Sequence, residues 1–177
     1  MRAHYGKPWE LRNTSLTLSE IVRRGRARAG TTLIACVDNE SQDVLELGRI
    51  VTPAPCRGDD DEAEHRAIHA LSGELRRIAT SIGPERPRTL DGRAGSPIAG
   101  TFVTVVCREG RVVSTDVEWQ FLSAWRYSNH FMAAFDGDVY VVTPHGWTST
   151  LTGESGYEPA LGSGTPLTPV PDPGPEV

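Results

Sequence analysis

His65 and His69 lie four residues apart, a spacing that on a helix sets both imidazoles on one face, where they could give a metal two nitrogen ligands with Glu62 close by. At about 100° per residue both histidines fall beside the apolar stripe of their segment rather than on it, which a solvent-facing pair without metal also satisfies. Further ligands would have to come from His130, His145 or Cys107 through folding. Glu64 continues the line of Ile68 and Leu71 backward, and a carboxylate on a core-facing side can be a general base with a raised pKa. A glutamate in a first helical turn also simply caps the helix. Cys107 ends an apolar run and precedes Arg108, so it could be a thiol of lowered pKa with His130 or His145 as its base. The plainer reading is a buried structural cysteine.

Other chemistries lack their equipment. No GxSxG marks a nucleophile on a sharp turn, and Gly153-Glu154-Ser155-Gly156 lies in a Pro/Gly-rich stretch. Neither GxxxxGK[ST] nor GxGxxG is present, so the usual backbone cradles for phosphates are missing. Cys36, Cys56 and Cys107 are too scattered for a CxxC zinc site or a disulfide framework, and no cofactor is expected.

Two features point to contact rather than catalysis. Arg23, Arg24, Arg26 and Arg28 form the one basic cluster and could touch phosphates. Cations at the end of a short helix are also what the helix dipole favours, and no aromatic platform interleaves with them, so nucleic-acid binding is the lesser expectation. The second feature is Trp119 with Leu122, which fall off the apolar side of their helix and mark an interface with a partner protein or a second copy of the chain.

The chain of 177 residues, 38% hydrophobic and 23% charged, suits one medium-sized domain. No apolar run reaches the length of a bilayer span, and MRAHYGKPWELRN has no apolar core for a signal peptide, so a cytoplasmic protein without membrane contact is expected. A net charge of -5 disfavours a surface built wholly to hold nucleic acid.

The elements that must position these residues follow from periodicity. Thr17 and Glu20 have capping-box spacing and predict a short helix from Leu18 toward Gly25. Thr32–Asp38 and Val44–Val51 read as a hairpin. From Glu62 to Ile82 the residues Ile68, Leu71, Leu75, Ile78 and Ile82 form the stripe of an amphipathic helix. Thr101–Cys107 is apolar throughout, as in a central strand. Thr115 and Glu118 cap a further helix, with Val117, Phe121, Ala124, Trp125 and Ser128 on its packed side. Asp136-Gly137, between Phe131–Phe135 and Val139–Thr143, predicts a second hairpin. An N-terminal extension over 1–14, a domain over 15–150 with a long loop at 83–100, and a disordered Pro/Gly-rich tail over 151–177 complete the division.

The predicted order is α-β-β-α-β-α-β-β, an α+β domain with one mixed or antiparallel sheet of about five strands packed by two main helices. This order resembles the JAB metalloprotease-like fold, and deaminase and RNase H folds present similar orders. The HxH of the JAB family, followed by serine and aspartate, is absent: the strand ends Cys107-Arg108-Glu109. The leading expectation is a small accessory module acting through protein contacts, without catalysis. The alternatives are a metal-dependent hydrolase built on Glu64, His65 and His69, and an arginine-mediated nucleic-acid binder.

Overall fold

The computed structural model describes residues 10–55, 61–84, 99–128 and 134–162. Helix α1 spans Thr14–Gly25, strands β1 and β2 span Thr31–Asp38 and Val44–Val51, α2 spans Asp61–Ile82, β3 spans Gly100–Cys107 and α3 spans Asp116–Ser128. They are followed by β4 (Ala134–Thr143), β5 (Gly146–Ser149) and β6 (Ser155–Gly156). One mixed six-stranded sheet runs in the order β2-β1-β3-β4-β5-β6. Every neighbouring pair is antiparallel except β3 and β4, which α3 joins as a crossover.

Alternation along the strands divides the core between two faces. On one face Ile34, Cys36, Ile50, Phe102, Val106 and Val139 meet the stripes of α2 and α3. On the other, Leu33, Val37, Val105, Tyr140 and Val142 meet Leu18 and Ile21 of α1. Helices therefore cover both faces, which is why every residue of central strand β3 is buried. The α2 stripe does what its spacing requires: Leu71, Leu75, Ile78 and Ile82 are buried and Ile68 packs at the margin.

Three boundaries depart from the sequence expectation. Helix α1 begins at Thr14, because Asn13 is its cap and accepts the Leu16 N–H at 3.1 Å, so Thr17 lies buried inside the helix. The extension over 1–14 therefore stops short of Asn13, and Leu11 already packs against the core.

Asp136-Gly137 makes no turn, since both residues lie within β4. Gly137 sits where the β3–β4 register shifts; a Cβ there would stand 2.6 Å from Thr101 Cγ2 and 2.8 Å from the Phe102 carbonyl. The glycine serves a close approach of two backbones. The hairpin turn lies instead at Pro144-His145, between β4 and β5, with Gly146 at φ 122°. Of the first strand expected for that hairpin, 131–133 lie outside the described residues and Ala134 and Phe135 begin β4.

The tail does not begin at Leu151. Strand β6 pairs with β5, Trp147 Nε1 donates to the Glu158 carbonyl at 2.7 Å, and the Leu161 N–H donates to the Thr143 carbonyl at 2.9 Å. Leu161 is buried beside Trp147 and Tyr140, so apolar burial anchors a segment whose composition alone reads as unstructured. Residues 163–177, and 85–98 of the expected long loop, lie outside the described residues.

Candidate functional site

Helix α3 has an unusual division of surface. Thr115 supports its first turn through Glu118, whose Oε2 accepts the Thr115 N–H at 2.5 Å and the Thr115 hydroxyl at 2.6 Å. Glu118 is fully buried, and its Oε1 accepts from Arg108 Nε at 3.1 Å. Val117, Phe121, Ala124 and Trp125 face the core, and the Trp125 indole stacks on Phe102 while donating to Thr104 Oγ1 at 2.8 Å. Even Gln120 is buried. The helix leaves only Asp116, Trp119, Arg126 and Tyr127 exposed, with Ser123 half-buried among them. At 100° per residue these five cover an arc of about 100°. Trp119 is 52% exposed and Tyr127 43%.

Leu122 does not share this surface. It is only 8% exposed and belongs to the core between α2, α3 and the sheet, because α2 packs along the flank of α3 on which Leu122 lies. The expected Trp119–Leu122 pair is thus corrected: Trp119 is on the surface, and Leu122 is in the core.

Tyr127 reaches toward α2. Its ring lies 4.9 Å from that of His69 and 6.3 Å from that of His65, centroid to centroid, and Arg76 donates to its carbonyl at 3.1 Å. The two imidazoles meet edge to face, with their Nε2 atoms 3.0 Å apart, on the exposed side of α2. Glu64 is exposed and faces away from the core, which corrects its expected role as a desolvated base. No group of three or more His, Cys, Asp or Glu able to hold a metal exists among the described residues. His65 and His69 are therefore brought together, without Glu64, Cys107 or His145; His130 lies outside the described residues.

Cys107 is buried on the α1 side of the sheet, and burial pushes its thiol up to about 12. Cys36 is likewise pushed up to about 11 by burial. Neither is a ready thiolate, so Cys107 does not fit a nucleophile. The basic cluster is partly engaged: Arg23 pairs with Glu20 at 2.8 Å, Arg24 donates to the carbonyls of Val44 and Leu45, and Arg26 takes the left-handed position that ends α1. The Arg28 carbonyl accepts from the Thr31 hydroxyl in the turn into β1.

A polar group that periodicity did not single out lies where β4 meets the end of β5. Asp138 accepts the N–H of Val139 at 2.7 Å, that of Leu151 at 3.1 Å and the Ser149 hydroxyl. Burial raises its carboxyl above the usual aspartate value, against the pull of those bonds. It borders a cleft of ≈ 540 Å³ shared with Thr14, Tyr140, Leu151 and Glu154. Ser149 Oγ in turn accepts the Thr152 N–H at 2.8 Å, so Asp138 and Ser149 hold the turn between β5 and β6. Only the fold brings these residues together; a lone Asp after a glycine carries no such signal.

Comparison of the chain with family models, with curated proteins and with solved structures finds no match. The resemblance to the JAB fold therefore rests on element order alone, and none of its metal chemistry has a ligand set among the described residues. No helix among those residues is long and apolar enough to cross a membrane.

Proposed function

We propose that this chain is a protein-contact module that pairs with a second copy of itself through the outer face of α3. The observation that carries the reading is the exposure of the two rings of Trp119 and Tyr127 on a helix that buries its other large apolar side chains, and even Glu118 and Gln120. Leaving an indole and a phenol ring on one exposed helix face in water is costly, and such residues supply much of the energy of protein interfaces.

The face is self-complementary. With a rise of 1.5 Å per residue, Trp119 and Tyr127 lie about 6 Å to either side of Ser123. Two antiparallel α3 helices related by a twofold axis at Ser123 bring Trp119 of one copy level with Tyr127 of the other. Arg126 follows Trp119 along nearly the same line of the helix, so the guanidinium of one copy meets the indole of the other in a cation–π contact. Ser123 at the axis is small enough for helices to approach to the usual 8–10 Å.

Light scattering over a range of concentrations tests the pairing. The wild type should reach twice its chain mass of 19.2 kDa, and Trp119→Ser should stay at one chain mass while remaining folded by circular dichroism. A wild type that stays monomeric at every concentration overturns self-pairing. Recovery of a different protein bound to the wild type and lost in Trp119→Ser would assign the same face to another partner.

A further inference from the structure

The other feature that the fold assembles on its surface is the histidine pair of α2. We propose that His65 and His69 form an exchangeable binding site for a late first-row divalent metal ion, of the Ni²⁺ or Cu²⁺ type, completed by water. The two Nε2 atoms are 3.0 Å apart on the exposed side of the helix, within reach of a single ion. Metal–imidazole bonds of 2.0–2.1 Å drawn from both atoms enclose an angle of about 94° at the ion. That is the angle between adjacent ligands in octahedral and square-planar coordination, and narrower than a tetrahedral site asks.

The site is prepared in advance. Four residues of helix fix the two Cα atoms, and the Tyr127 ring at 4.9 Å from His69, tilted by 38°, limits the rotamers open to the imidazole. Without metal one Nε2–H donates to the other Nε2. To bind the ion both rings must carry their proton on Nδ1, so the donated proton moves from Nε2 to Nδ1 through water and no net proton is lost from the neutral pair. With no group of three ligands among the described residues, the protein supplies two and solvent the rest, which makes the site labile rather than structural. The proposal does not rest on the pairing of α3, although Tyr127 borders both surfaces.

Titration of the tag-free full-length chain with NiCl₂ in a calorimeter tests it. One equivalent should bind, and because the second imidazole acts at a high effective concentration, His65→Ala and His69→Ala should each weaken binding by about a hundredfold. Both residues are exposed, so both variants should fold as the wild type does. Ni²⁺ should raise the melting temperature of the wild type and leave that of the variants unmoved, since the ion binds only where the helix is formed. Zn²⁺ should bind more weakly than Ni²⁺. Trp119→Ser should bind Ni²⁺ as the wild type does, which keeps this result separate from that of the pairing. Absence of binding up to about 1 mM Ni²⁺ overturns the proposal. Binding that persists unchanged in either single variant also overturns it and places the ion elsewhere, at His4 or His130 for example.

Discussion

Arg108 and Glu118 form an ion pair, Nε to Oε1 at 3.1 Å, that joins the end of β3 to the first turn of α3. The carboxylate is fully buried, and the guanidinium also donates to the carbonyls of Glu109, Arg111 and Val113, so one side chain shapes the whole connection. Removing one partner of a buried pair strands the other charge. Arg108→Ala should therefore destabilise the fold by about 3 kcal/mol in urea unfolding. A loss below about 1 kcal/mol would mean that water already serves Glu118.

Trp125 anchors α3 to the sheet. Its ring is buried, stacked 5.3 Å from Phe102 and bonded to Thr104. Trp125→Ala should cost about 3–5 kcal/mol, and Trp125→Phe, which keeps the stack and loses the hydrogen bond, should cost less. Equal costs for the two would contradict a specific role for the indole N–H.

Asp138 gives the fold a pH dependence of definite sign. Its carboxyl, raised by burial above the ordinary value of 3.8, favours the protonated form in the folded state. The stability this contributes is complete below about pH 4 and is lost as pH rises through the folded-state pKa. Measured against Asp138→Asn, which cannot ionise, the wild type should lose relative stability as pH climbs above 4, followed by urea midpoints at a series of pH values. A relative stability that rises over that range would mean that the hydrogen bonds outweigh burial.

Leu161 tests where the domain ends. Its side chain is 5% exposed and its N–H is bonded to Thr143. Leu161→Ala should cost about 2–3 kcal/mol, and the Leu161 amide should exchange slowly. Fast exchange with a cost under about 1 kcal/mol would return the boundary to Leu151.

The parts of this fold that were legible in the sequence are those in which one local rule acts alone. The α2 stripe, the β1–β2 hairpin and the wholly apolar β3 each carry a single period, and the structure keeps it. The Asp136-Gly137 pair has the chemistry of a turn, but pairing with β3 and the tight contact at Phe102 put its glycine to another use. Helix α3 defeats a one-stripe reading because α2 and the sheet bury it over most of its circumference, drawing in Leu122, Glu118 and Gln120. Of the candidate surface, Trp119 could be read from its angle. Tyr127 beside His69 could not, since their contact depends on how α2 and α3 pack.

The pairing of α3 has one direct measurement. Ser123 lies on the proposed axis, so Ser123→Cys, made with Cys56→Ser to leave only the buried Cys36 and Cys107 besides it, sets two thiols face to face. Their Cα atoms would then fall in the range a disulfide spans, roughly 4.4–6.8 Å. Under mild oxidation the variant should run as a disulfide-linked dimer on a non-reducing gel and return to one chain mass with reductant, while a cysteine at exposed Glu74 on α2 should not cross-link. A Ser123→Cys chain that stays monomeric, or that cross-links no faster than the Glu74→Cys control, would contradict the account.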